Sequence, residues 1–244
     1  MIMAEGIEVV LSQWARLGVL FNVAPARRTP DVEALLVVTA RVLPGDARLL
    51  ATVVTWLALY ERLVARHRLA RMARELEESD ASAALGLLLD LARERTGTDH
   101  LNVAIGACRP CRRPRPLFLV DRTSAALARN VHREATRTAR RWGLWTPAPD
   151  LKEDAIRPAD WLMSHNADLR FRAIFWGNLR ASVLACLIYE PRAGQSESSL
   201  ARACGATRVA VREALDHLEF CGLVLRQSDG WRTGVKPRLD SLVA

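Results

Sequence analysis

The chain has 244 residues, half of them hydrophobic and a quarter charged, with a net charge of +8 and a pI near 10.0. That length and balance fit a globular protein of one or two domains and exclude a disordered tail. The longest uncharged run, Leu49 to Tyr60, is too short to span a bilayer, and Glu5 and Glu8 stand where a secretory leader is basic, so the reading is a cytoplasmic protein with no membrane partner.

Residues 4–24 place Val9, Val10, Trp14 and Leu17 at helical spacing. Pro30-Asp31 opens a helix that Pro44-Gly45 closes, and Asp46 caps the next. That next stretch runs apolar through Tyr60 and then amphipathic to about Glu78. Its charges, Glu61, Arg62, Arg66, Arg68, Arg71, Arg74 and Glu75, read as a solvated face. Ser79 or Asp80 caps a further helix ending near Thr96-Gly97. Residues 1–100 thus form an all-helical domain, suited to dimerisation or to binding a protein partner.

Residues 101–170 read as a basic connector. Leu101–Ala107 and Leu117–Val120 are of strand length around the loop Cys108-Arg-Pro-Cys111-Arg-Arg-Pro-Arg-Pro116, and predict a hairpin. The loop is either a plain basic loop or an arm for a narrow minor groove. Ser124 caps a helix from Ala125 to Trp142 in which Arg129, Arg133, Arg137 and Arg141 recur every four residues. Residues 105–145 hold ten basic and two acidic residues, so local pairing cannot neutralise this stripe. It marks a nucleic-acid surface or a face paired elsewhere in the fold. Cys108 and Cys111 supply half of a zinc site, with His100 as a further candidate ligand; otherwise they read as structural thiols, and no cofactor is expected. Residues 143–170 carry prolines interleaved with Trp145, Ile156 and Trp161, an ordered connector rather than a flexible one.

From residue 171 to about 239 the pattern becomes specific. A helix ends at Tyr189-Glu190-Pro191. Ser196 offers a cap for a short second helix, Gly205 supplies a turn, and Thr207 caps a third helix, 207–221, with Val211, Leu215 and Leu218 on its buried stripe. Arg208 and Arg212 lie near the start of that helix and Glu213, Asp216 and Glu219 further along. This order opposes the helix dipole and suits a helix whose N-terminal end meets DNA. Leu223–Gln227 and Trp231–Val235 read as two strands joined at Asp229-Gly230, a hairpin turn, with Arg226 and Arg232 beside its tip. The fold class expected is mainly α, an N-terminal all-α domain followed by a C-terminal winged helix-turn-helix with a small β hairpin as its wing.

Leu200-Ala201, Gly205, Thr207-Arg208, Val211-Arg212-Glu213-Ala214-Leu215, Leu218-Glu219 and Gly222-Leu223-Val224 resemble the winged-helix domain of GntR-type transcription regulators. The resemblance implies DNA contacts for Thr207, Arg208 and Arg212. It is confined to this unit, which stands here at the C-terminal end whereas that family places it first, so no effector or metal site is carried over. Glycine-rich phosphate loops, Gly-x-Ser-x-Gly and His-Glu-x-x-His are absent, and the chain does not read as an enzyme. The expectation is a homo-oligomeric transcriptional regulator on double-stranded DNA, touching it through Thr207, Arg208, Arg212, Arg226, Arg232, Arg129, Arg133 and Arg137. The alternative is an accessory or adaptor protein of a DNA-associated complex.

Overall fold

In the computed structural model, which describes residues 2–118 and 125–234, Trp14 and Trp56 meet edge to face at 5.4 Å, fully buried. Each indole N–H is satisfied: Trp14 donates to the Thr39 hydroxyl and Trp56 to the Leu17 carbonyl. Three helices meet there: α1 (Ile2–Arg16), α2 (Val32–Val42) and α3 (Ala47–Tyr60). Asp31 caps α2 by accepting from the Ala34 amide, and Asp46 caps α3 by accepting from Arg48 and Leu49.

The helix expected to run from Asp46 to Glu78 is two helices. It breaks after Tyr60 into a 3-10 turn over Glu61–Leu63 and extended backbone at Val64, and α4 (Arg66–Glu75) follows. The break buries Glu61, which accepts from the hydroxyls of Thr96 and Thr98. The solvated face predicted here is therefore wrong at two positions, since Arg68 on α4 is buried as well. Next, α5 (Ser79–Thr96) is buried on every side from Ala81 to Ala92 and forms the axis of the first core, packing on α2, α3 and later elements.

Residues 102–118 do not form the predicted hairpin. Asn102–Ile105 is a single helical turn, α6, and Arg115–Pro116 is a two-residue strand, β1. The remainder of the second expected strand, Leu119–Val120, lies outside the described residues, as does the Ser124 cap. The helix expected over Ala125–Trp142 is interrupted, because Thr136 caps a new helix through the Ala139 amide. The pieces are α7 (Ala125–Glu134) and α8 (Arg137–Trp142). β2 (Leu144–Trp145) then pairs with β1 in parallel.

On α5, a Cβ at Gly86 would stand 2.3 Å from the Trp142 ring, so only glycine admits α8 at this distance. Trp142, Leu144, Ile156, Leu162 and Leu169 join the same core as Trp14 and Trp56. Residues 101–170, read from the sequence as a connector, are a constituent of that core. They include α9 (Ala159–His165) and the start of α10 (Ala167–Ile174).

A second, separate core starts at Phe175 and extends to Trp231. It is built from α11 (Leu179–Tyr189), α12 (Glu197–Cys204), α13 (Arg208–Phe220) and the antiparallel pair β3 (Val224–Gln227) and β4 (Gly230–Thr233). The two cores meet at a tight joint. Trp176 and Gly177 both have positive φ, 48° and 62°, and a Cβ at Gly177 would fall 2.2 Å from the Val64 carbonyl oxygen. Thirteen α-helices and two two-stranded sheets among the described residues make the protein mainly α. No helix among them is long and apolar enough to cross a membrane.

Candidate nucleic-acid interface

Ser196 opens α12 by accepting from the Ser199 amide, and Thr207 opens α13 by accepting from the Ala210 amide. Between the helices Gly205 has φ +65°, and its backbone lies against α4: an added Cβ would sit 3.1 Å from the His67 carbonyl oxygen. The turn needs glycine both for its dihedral and for this approach. Val211, Ala214, Leu215 and Leu218 bury one face of α13, on α11 and α12. The opposite face is open, with side chains of Arg208 and Arg212 61% and 53% exposed.

Both arginines are held by one carboxylate on α12. Glu197 Oε2 accepts from Arg208 Nε at 3.0 Å and from Arg212 Nη2 at 2.8 Å. Hydrogen bonds from Arg212 and then Arg208 draw the Glu197 carboxyl down to a pKa of about 2, so it is ionised at any physiological pH. Glu197 is the site residue that the sequence pattern misses. Its only local signal is an acid in the first turn of α12, which the helix dipole already accounts for. Val209 is the second omission. It is 66% exposed on the first turn of α13, beside Arg208.

The expected hairpin forms, with Leu225 facing Arg232 and Gln227 facing Gly230, so its tip is Ser228-Asp229 and Gly230 already belongs to the second strand rather than to the turn. Only the last residue of the second predicted strand, Val235, lies outside the described residues. Arg232 pairs with Asp229, and Arg226 lies over the Trp231 ring at 5.5 Å. Each of the four arginines thus has an internal partner while remaining exposed. Residues 196–234 hold five arginines and five acids, so this unit has no net charge, and the positive excess lies elsewhere.

The stripe of residues 129–141 does not form one face. Arg129 and Arg133 stand on α7, exposed, Arg133 reaching Asn130 Oδ1. Arg137 is exposed at the start of α8, while Arg141 turns inward to pair with Asp90. In the basic loop, Arg115 pairs with Asp80 at 2.7 Å.

Cys108 and Cys111 are nearly buried. The Cys108 thiol donates to the Ala104 carbonyl, and the single S–H of Cys111 lies within reach of two acceptors, Asp80 Oδ1 and the Arg113 carbonyl. Burial pushes Cys108 up to about 12 and raises Cys111 as well, which favours thiol over the thiolate that zinc requires. The His100 imidazole lies by the Val64 carbonyl. No group of three or more His, Cys, Asp or Glu among the described residues is placed to hold a metal ion.

The second core is tied to the first by a buried ion network. Arg68 on α4 makes a bidentate pair with Asp31, and also reaches Glu33 at 3.0 Å and Glu190, just past α11, at 2.8 Å. Arg71 joins Glu190 at 2.7 Å. Glu33, wholly buried, accepts in addition from the Ala65 amide and from Arg172 of α10. Two ends of α11 are therefore fixed to α4, one by the Gly177 joint and one by Glu190, and α12 rests on α4 through Gly205. The helices that carry Glu197 and Arg208 are held at a set position on the first core.

Comparisons with protein-family models, with curated proteins and with solved structures find no match for this chain.

Proposed function

We propose that the protein is a DNA-binding transcriptional regulator whose C-terminal unit acts as a winged helix-turn-helix, with α13 as the helix that enters the major groove. The observation that carries this reading is the open N-terminal half of α13, which presents Arg208, Val209 and Arg212 from a rigid, capped helix. Arg208 reads a base edge, with Thr207 at the cap beside it, and Arg212 engages phosphate. Arg226 and Arg232 supply backbone or minor-groove contacts from the hairpin, and Arg129, Arg133 and Arg137 extend the footprint. In free protein Glu197 pairs with both Arg208 and Arg212. On DNA it competes with phosphate for them, so loosely placed phosphates gain little and a well-placed guanine gains more. Homo-oligomerisation through the N-terminal helices completes the proposal, since a palindromic site needs two copies.

A second reading is supported by the charge balance of residues 196–234. A neutral unit draws little from counterion release, and an accessory or adaptor protein that uses α13 to contact a protein partner within a DNA-associated complex requires no more. Selection from a random duplex library followed by a salt titration separates the two. A recovered palindrome with a specific affinity far above that for random duplex supports the regulator. Weak, sequence-independent binding that vanishes with salt supports the accessory role and would remove the regulator.

A further inference from the structure

We propose that the cleft bounded by α5, α6 and α8 binds a small organic monocarboxylate. The cleft has a volume of about 370 Å³, at the small end of ligand sites, and its lining includes Arg93, Ile105, Cys108, Pro110, Arg141 and Trp142.

Its chemistry is divided. Ile105, Cys108, Pro110 and Trp142 provide apolar wall, and the Cys108 thiol is engaged with the Ala104 carbonyl and held neutral by burial. Two guanidiniums from helices distant in sequence converge at the same place. Asp90, fully buried on α5, brings them together: Arg93 Nη2 lies 2.8 Å from its Oδ1, and Arg141 Nη2 pairs with its Oδ2. The Trp142 indole donates to the same Oδ2 at 2.9 Å, which fixes the carboxylate from a third side.

This arrangement is more than a structural clamp. Each arginine uses Nη2 toward Asp90, yet the Arg93 side chain remains 33% exposed and that of Arg141 52% exposed. A guanidinium has five N–H donors in a fork, so both retain donors for a second anion. Two positive charges over one buried negative leave a single unit of charge facing the cleft. One carboxylate balances it, and the apolar wall favours an anion with an organic body over inorganic phosphate, which has none to place there. The walls then receive an aromatic or short aliphatic body. The site is independent of DNA binding and does not rest on that reading.

The test is calorimetric titration of the full chain with benzoate, phenylacetate and hexanoate, each set against benzamide and inorganic phosphate. At least one monocarboxylate is expected to bind saturably, with benzamide and phosphate at least about tenfold weaker, as loss of a charge-assisted fork implies. Arg93→Gln and Arg141→Gln should each weaken that binding by roughly tenfold or more. Both side chains are partly exposed, and wild-type ligand discrimination provides a readout that does not depend on the variants folding. The proposal is overturned if none of the three acids binds at millimolar concentration. It is equally overturned if benzamide or phosphate binds as well as the acid, or if both folded variants bind like wild type.

Discussion

Glu197 Oε2 lies 2.8 Å from Arg212 Nη2, joining the first turn of α12 to the exposed face of α13 across fifteen residues of sequence. The same oxygen takes Arg208 Nε at 3.0 Å, so one carboxylate sets the starting position of both candidate DNA-contacting arginines. Glu197→Gln should release them. Affinity for random duplex then rises and the preference for the selected site falls, as read by paired titrations on random and selected duplex. Unchanged values for both would remove Glu197 from the interface.

Arg208 and Arg212 should separate by the kind of loss they cause. Arg208→Ala is expected to cost ~1–3 kcal/mol on the selected site and to flatten preference at one base position. Arg212→Ala should weaken all duplexes alike and lower the salt slope by about one. Equal affinity of both variants and wild type at moderate salt would refute the site.

The Glu197 pairing also predicts a pH dependence. Its carboxyl is depressed to about 2 in the folded chain from an ordinary value of 4.5, so the pairing is fully present above that ordinary value and is lost as pH falls through the folded one. A carbon-detected titration of the Glu197 carboxylate should find it still ionised at about pH 4, below the midpoint of a free glutamate. A midpoint near that of a free glutamate would mean that the arginines are not held there.

Arg68 should matter far more to stability than any surface arginine. Its removal leaves Asp31 without its cation and takes one of two from Glu33, which keeps Arg172, and from Glu190, which keeps Arg71; breaking such a buried network costs about 3–5 kcal/mol. Arg68→Ala should therefore depress thermal unfolding by many degrees, whereas Arg74→Ala, on the exposed side of the same helix, should change it little. Similar melting of the two variants would contradict the seam.

Gly86→Ala places a methyl group in the Trp142 ring, and overpacking of this kind costs roughly 1–3 kcal/mol. Near-ultraviolet circular dichroism and thermal melts should both report the displaced tryptophan. Alkylation at neutral pH should label Cys221 first, because it is exposed while Cys108, Cys111, Cys186 and Cys204 are buried; rapid modification of Cys108 would contradict its burial.

Local chemistry in the sequence determined the pieces of the second core. The cap oxygens of Ser196 and Thr207, the left-handed Gly205 and the buried Val211, Leu215 and Leu218 act over a few residues, and each is found where its spacing predicts; the hairpin forms too, with its turn one residue earlier, at Ser228-Asp229. Asp31 and Asp46 were legible for the same reason. Tertiary structure alone decided which charges face water. Arg68 and Glu190 are 122 residues apart and Arg141 and Asp90 51 apart, so no helical period could reveal that Arg68 is buried or that the half-exposed Arg141 reaches a buried carboxylate. It also decided that the helix predicted over 46–78 breaks, because Thr96 and Thr98, the partners of Glu61, reach it only once α5 is in place, whereas the break within 125–142 is made locally by the Thr136 cap. A cap or a turn is satisfied by neighbours in sequence; an ion pair needs the fold that brings its partner.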